Sequence, residues 1–345
     1  MSRMRATVLT RFGGPSVLEC HEVEMPVPRA DQMLVRVAAC GVCGHDLLNR
    51  EGHFPETKPP CVMGHEIAGT VETVGDLVSL FAPGDRVALT QRISCGVCRT
   101  CRAGRDNLCR NGPNFYGEGI SGGYGEFVVA SPRNAVPLPD AIDFATGAIL
   151  SCALGTGWHA LGRARVSPGD TIVVTAASGG VGLHTLQLAR FLGLTVIAVT
   201  TSERKREMLL EAGAHHVLDM GAEGFHRGVR DLTGGAGADA VIEIAGVPTF
   251  ASSLRALAAG GRLVAVGNMQ PGNAPLNPAL AILKEIEIVG SGHALVADLV
   301  RLIGLASAGL VQARIAERIP VAQAALAHER LAGQSLTGRI VLLPG

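Results

Sequence analysis

Two textures of apolar and polar positions follow one another along the chain. Over roughly the first 150 residues the apolar positions come in short, often alternating runs broken by glycine and proline. Ala6-Thr7-Val8-Leu9, Met33-Leu34-Val35-Arg36-Val37 and the stretch from Ile67 to Val74 are of this kind. Ala82-Pro83-Gly84-Asp85 then makes a turn before Arg86-Val87-Ala88-Leu89. Such runs predict a compact β-rich domain, barrel-like in outline. From about Gly155 the period changes. Thr171-Ile172-Val173-Val174-Thr175 reads as a buried strand, and Val181 to Leu192 has helical spacing with Gly193 as its stop. Thr195 to Thr200 is the next strand, Ser202 to Ala212 the next helix and His216 to Asp219 a further strand. Ala240 to Ile244, Arg262 to Val266 and Ile286 to Val289 continue the series, which predicts an α/β doubly wound parallel sheet. A helical run from Leu295 to Ala308 and a terminal apolar strand, Arg339 to Leu343, close the chain; that tail can return to the first domain and make it discontinuous.

Composition narrows this picture. A chain of 345 residues exceeds one usual core, so two domains are expected. Thirty basic residues balance thirty acidic ones, which leaves no footprint for nucleic acid or an anionic membrane. The opening Met1-Ser2-Arg3-Met4-Arg5 leads straight into the first strand, and no apolar run reaches membrane length. A soluble, cytoplasmic protein is the expectation. Glycine is abundant (45) and aromatics are scarce (3%), as suits an α/β protein built on glycine turns. Nine cysteines in a large chain, an odd count with no leader segment, favour metal binding over a disulfide framework. Cys20, Cys40 and Cys61 are expected as buried thiols.

Cys43, His65 and Cys152 offer two thiolates and one imidazole to a single metal. Three protein ligands leave a fourth position open, the mark of a catalytic zinc, although each residue taken singly reads as core or surface. Cys95, Cys98, Cys101 and Cys109 are closely spaced, and four thiolates close a tetrahedral site completely. They read as a structural zinc, with an iron–sulfur cluster as the alternative.

Ala177-Ser178-Gly179-Gly180-Val181-Gly182 follows a strand and opens a helix. Its glycines allow a pyrophosphate to approach the backbone and the helix N-terminus; the alternative is a tight turn without a ligand. An NAD-specific fold carries an acid about twenty positions on. Here that place holds Thr200, followed by Ser202, Arg204 and Lys205, which favours the extra phosphate of NADP, with NAD possible. Glu203 dissents, but suits the first turn of a helix.

With these motifs the chain resembles the zinc-containing medium-chain dehydrogenase/reductase (alcohol dehydrogenase) family over essentially its whole length. The matches are Gly41-Val42-Cys43-Gly44, Gly64-His65-Glu66, the cysteine lobe, Gly122-Gly123-Tyr124-Gly125-Glu126-Phe127 and the glycine turn. The resemblance implies a GroES-like catalytic domain over 1–153 and 292–345, with a structural zinc lobe at about 92–112. A Rossmann domain over 154–291 would lie between them, with the active site in the cleft and a homodimer or homotetramer as the assembly. It makes Cys43, His65 and Cys152 the catalytic zinc ligands, Glu66 a transient ligand and Asp46 the group that orients His65. Thr156 and the backbone near Gly267 and Ser291-Gly292-His293 become the nicotinamide cradle, and Arg339 a pyrophosphate contact. Two zinc ions per chain follow.

The family's proton relay starts with Ser or Thr where this chain has His45, and continues to a His where it has Leu48. His45 replaces the relay directly or is a core histidine; His53 is the weaker substitute. Pro248-Thr249-Phe250, Val266-Gly267-Asn268 and the glycine turn carry a closer likeness to the acryloyl-CoA reductase branch. The expected activity is therefore zinc-dependent hydride transfer between NADP(H) and an alcohol or carbonyl. The alternative is NADPH-dependent reduction of an activated C=C in an enoyl thioester or enone, and a distant one is a catalytically silent nucleotide-binding protein. Phe54, Phe115, Tyr116 and Trp158 are candidate pocket aromatics for a small-molecule substrate.

Overall fold

The computed structural model describes residues 2–344 apart from 112–114, 222–223, 271 and 334–335. The chain forms two compact units, Met1–Gly155 with His293–Gly345, and Thr156–Gly292.

The first unit is built on a sheet in the order Ala135–Pro137, Arg86–Leu89, Glu66–Val74, Met33–Val42, Arg339–Leu343 and Ile315–Pro320, with Phe127–Ala130 also pairing onto Met33–Val42. Met33–Val42 is the centre of this sheet, and its near-continuous burial explains why it reads as an apolar run with few polar breaks. Arg339–Leu343 pairs antiparallel with it, Val341 opposite Gly41, so the last strand of the protein completes the sheet begun by the third. A smaller sheet joins Leu18–Glu24, Arg3–Leu9 and Cys61–Val62. Its side chains and those of the larger sheet share one core, with Leu9, Met33, Ile67, Leu89, Ile340 and Leu342 wholly or almost wholly buried.

The second unit is a six-stranded parallel sheet. Its order is His216–Asp219, Thr195–Thr200, Thr171–Val174, Ala238–Glu243, Leu257–Ala265 and Glu287–Gly290. Numbered from the first strand of the unit this is 3-2-1-4-5-6, the doubly wound order whose reversal lies between the first and fourth strands. Ligands of such sheets bind at the carboxyl ends of the strands beside that reversal.

Several expectations are corrected here. The helix expected from Ser202 to Ala212 is a short 3-10 turn, Glu203–Lys205, followed by a helix over Arg206–Glu211. Cys20 is exposed, because it sits midway along Leu18–Glu24, a strand at a sheet edge; Cys61 is half-buried and, of the three, only Cys40 is fully enclosed. The units divide after Gly155 and after Gly292. Gly112, the expected end of the cysteine lobe, lies outside the described residues. No helix among the described residues is long and apolar enough to cross a membrane.

Candidate metal centre and nucleotide site

In the first unit, strand pairing delivers the metal donors. Gly41 lies opposite Glu66, so Cys43, just past the end of Met33–Val42, meets His65, just before the start of Glu66–Val74. Cys152 arrives on a π-helical turn, Leu150–Leu154, between the helices Phe144–Ile149 and Gly155–Ala164. Such single wide turns interrupt helices mostly at functional sites. One donor atom from each of Cys43, His65, Glu66 and Cys152 falls within 4.8 Å of the others, and all four residues are buried.

The separation of the sulfurs tests the fit to a metal. Cys43 Sγ and Cys152 Sγ are 3.9 Å apart. A disulfide needs about 2.05 Å, whereas two thiolates about 2.3 Å from a tetrahedral zinc stand about 3.8 Å apart. The donors fit the ion. His65 Nδ1 lies 3.1 Å from Asp46 Oδ1, which leaves Nε2 to face a metal. Asp46 Oδ2 also accepts the Cys43 N–H at 2.8 Å, closing the first turn of the helix Gly44–Arg50.

Arg339 supplies the counter-charge. Its Nη2 lies 2.8 Å from Glu66 Oε1, and the two side chains are 3% and 0% exposed. It reaches this point because its strand runs antiparallel to Met33–Val42 and starts at the end that carries Cys43. Burial pushes the Glu66 carboxyl up to about 7, with Arg339 pulling the other way. The Cys43 thiol is held well below its ordinary value by the Cys152 thiol, which donates to it, and by Arg339 and His65, against the effect of burial. One thiolate is thus already favoured, as a metal ligand requires.

The lobe cysteines form a second cluster of four donors within 4.8 Å. Cys95 and Cys101 Sγ are 3.9 Å apart, Cys98 and Cys101 Sγ 3.5 Å. The Cys95 N–H donates to Cys109 Sγ and the Cys98 N–H to Cys95 Sγ, each at 3.3 Å. Four sulfurs with no other donor in the set form a closed site, suited to structure rather than catalysis.

In the second unit, the glycine turn follows Thr171–Val174, the first strand, and leads into the helix Gly180–Phe191. A Cβ on Gly182 would meet Ala176 O at 2.5 Å and Ala177 Cα at 2.7 Å, so glycine alone lets this helix start so close to its strand. The exposed Gly179 is its N-cap. Ser178, Gly179, Gly180 and Val181 therefore surround a helix N-terminus at the sheet's reversal, where a pyrophosphate fits. Thr200 ends the neighbouring strand, its hydroxyl accepting from the Ser202 N–H at 3.2 Å. The dissenting acid is accounted for: Glu203 pairs with Arg206. Gly267 packs against Ile244 O, and the Ser291 N–H donates to Ala265 O, so both stand at the carboxyl ends of the strands. Thr156 opens this unit in sequence.

Comparisons with known proteins agree with this geometry. Residues 29–140 match the family model "Alcohol dehydrogenase GroES-like domain" and residues 180–307 match "Zinc-binding dehydrogenase". The acryloyl-coenzyme A reductase of Metallosphaera sedula is 31% identical over 340 residues, covering 98% of this chain and 99% of that one. The NAD-dependent alcohol dehydrogenase of Sulfurisphaera tokodaii is 32% identical over 351 residues, covering 99% and 100%. Among solved structures, that of AibC superposes with a TM-score of 0.94 at 43% identity, covering 99% of this chain and 96% of that one. The chain belongs to the zinc-type medium-chain dehydrogenase/reductase family.

This medium-chain dehydrogenase is an oxidoreductase of a family that uses NAD(P). Beside its cluster of metal donors the structure gives His45 partners, one of which, Glu118, the sequence did not single out. His45 stacks flat on Phe54, with ring centroids 4.2 Å apart, and lies 5.2 Å from Phe115 and 5.1 Å from His65. Its Nε2 bonds the carboxylate of Glu118. Nothing in the local sequence marks Glu118, which comes from a turn after Phe115–Tyr116. His53 stands apart, half-exposed beside Glu51. Tyr116 is core, its hydroxyl bonded to Val129 O, whereas Phe54 and Phe115 do wall the site. In the second unit Glu243 is 1% exposed, yet it accepts hydrogen bonds from the hydroxyls of Thr175, Thr249 and Ser253 and from the Gly246 N–H. These four donors satisfy a buried carboxylate and pin the turn after the fourth strand.

Proposed function

We propose that this enzyme transfers hydride between NADP(H) and an alcohol or carbonyl substrate, with one zinc at Cys43, His65 and Cys152 and a second in the lobe. The convergence of those three buried donors, with Asp46 behind the imidazole, carries the reading. Bound zinc supplies a Lewis acid and the nicotinamide supplies or takes the hydride. The chain's own residues do the rest. Asp46 fixes the ring of His65, and Glu66, held off by Arg339, is a reserve donor. Phe54 and Phe115 keep water from the reacting carbon. His45, oriented by Glu118, takes or gives the substrate proton in place of the missing hydroxyl. In the nucleotide unit, Ser178 to Gly182 hold the pyrophosphate, Thr156, Gly267 and Ser291 the nicotinamide end, and Thr200, Ser202, Arg204 and Lys205 the phosphorylated ribose. The pairing of Glu203 with Arg206 supports NADP, since it neutralises the acid next to Ser202 and Arg204, although Asp219 opposite Thr200 keeps a second acid at that strand end.

A panel of alcohols, aldehydes and 2-enoyl-CoA esters with each cofactor, before and after chelation, tests this. Aldehyde reduction faster with NADPH than with NADH, lost on chelation, is expected. Arg204→Ala should then cost about tenfold in kcat/KM for NADPH and little for NADH, as for one lost hydrogen bond to a charged group. The second reading, hydride delivery to an enoyl thioester, is favoured by the likeness to the Metallosphaera sedula enzyme. NADPH consumption with 2-enoyl-CoA and none with aldehydes would establish it instead.

The proposed assembly is a homo-oligomer built through the free edge of Glu287–Gly290, where Ile288 is 40% exposed and the neighbouring helix carries the exposed Ile282 and Leu283. Sedimentation at the mass of two or four chains is expected, and a monomer at micromolar concentration would contradict it.

A further inference from the structure

The carboxylate that orients His65 is the end of a longer buried line. Asp46 Oδ2 accepts a hydrogen bond from the hydroxyl of Tyr124 at 3.2 Å. Tyr124 Oη lies 3.1 Å from His328 Nε2, and His328 Nδ1 lies 3.3 Å from Arg50 Nη1. Asp46, Tyr124 and His328 are 0% exposed and Arg50 is 4% exposed. Arg50 is anchored by Gly13 O at 2.9 Å and by Glu51 at 2.8 Å. The line thus starts and ends on the helix Gly44–Arg50 and passes through His328 of the helix Ala324–Ala332, near the end of the chain.

Donor and acceptor chemistry allows one arrangement of its protons. Arginine only donates and an ionised carboxylate only accepts. His328 Nδ1 must therefore accept from Arg50, so Nε2 carries the proton and donates to Tyr124. The tyrosine hydroxyl is left to donate to Asp46. Burial keeps His328 neutral, its value pushed down to about 4, so one ring proton is all it has. Asp46 then receives the Tyr124 O–H and the Cys43 N–H on Oδ2, while Oδ1 faces His65 Nδ1. The ring of Tyr124 has a place built for it beside the ligand. Gly64, with φ +95°, precedes His65, and a Cβ there would lie 2.3 Å from Tyr124 Cδ1.

We propose that Tyr124 and His328 are positioning residues for the metal-binding imidazole, holding Asp46 so that His65 keeps its proton on Nδ1 and presents Nε2. The inference rests on the metal reading of the Cys43, His65 and Cys152 cluster. Without the Tyr124 hydroxyl, Asp46 Oδ2 is held by the Cys43 N–H alone and His328 Nε2–H loses its acceptor in a buried site, so the carboxylate is less firmly set behind His65. Partners behind a metal's ligands typically change metal affinity by about 10–100-fold.

The test uses the full-length enzyme as Tyr124→Phe, His328→Leu and His328→Gln. Two quantities are read: the rate at which each metal passes to a chromophoric chelator, and the visible spectrum of cobalt(II) at the Cys43 cluster. Tyr124→Phe and His328→Leu should release the catalytic metal about 10–100-fold faster and shift the cobalt bands, while the lobe metal leaves at the wild-type rate. His328→Gln should restore both quantities, because its amide can donate to Tyr124 and accept from Arg50. Unchanged bands and release rates overturn the proposal. So does equal acceleration at both metals, which signals general loosening. If Tyr124→Phe does not fold, the Leu and Gln variants at 328 decide the matter alone. A wild-type protein that takes up no cobalt at Cys43 overturns the functional reading as well, which separates the two failures.

Discussion

Replacing Cys43 by alanine is expected to lower kcat by about 10³-fold or more and to remove one of two metal ions per protomer. The magnitude follows from losing a Lewis acid that supplies several kcal/mol of transition-state stabilisation, at about 1.36 kcal/mol per factor of ten. Cys43 contributes more than a bond to the ion. Its backbone N–H is bound by Asp46, so Ala at this position keeps that bond to the start of the helix and loses chiefly the thiolate. Circular dichroism and the thermal midpoint should therefore change less than the metal content does. Turnover that survives in Cys43→Ala would favour hydride transfer without metal assistance, or a protein that only binds nucleotide.

Arg339→Met is expected to destabilise the first unit by about 3–5 kcal/mol, the usual consequence of stripping one partner from a buried ion pair. Glu66 would remain wholly buried with its ion-pair partner gone. The double variant Arg339→Met/Glu66→Gln should recover a large part of that loss, since the stranded charge is then gone as well. Urea denaturation of the three proteins at one fixed zinc concentration measures both effects. A single-variant loss within about 0.5 kcal/mol, as for a surface substitution, would show that the pair is not the counter-charge described above.

The parallel sheet was legible in the sequence because strands buried on both faces read as unbroken apolar runs, as Thr171 to Val174 and Thr195 to Thr200 do. The glycine turn was legible for the same local reason: strand, glycines and helix are contiguous. The donors Cys43, His65 and Cys152 stood out through residue type, since thiols and imidazoles are few. Residues that act through distant contacts were not legible. His328 reaches Tyr124, and through it Asp46, only because the C-terminal helix packs beside the sheet, and Glu118 reaches His45 from a turn with no periodic signal. Nor was the ion pair of Arg339 with Glu66 legible, since it is set by the register of the last strand with Met33–Val42. Cys152 gave no sign of its wide helical turn, because π-helical turns arise from packing rather than from composition. Cys20 shows the opposite error: apolar character suggested burial, and strand position decided otherwise.

Anomalous diffraction at the zinc edge from crystals of the untreated protein tests the metal centre most directly. Two peaks per protomer are expected, one among the four lobe sulfurs and one shared by Cys43 Sγ, His65 Nε2 and Cys152 Sγ. A single peak in the lobe, with Cys43 and Cys152 joined as a disulfide or turned apart, would contradict it.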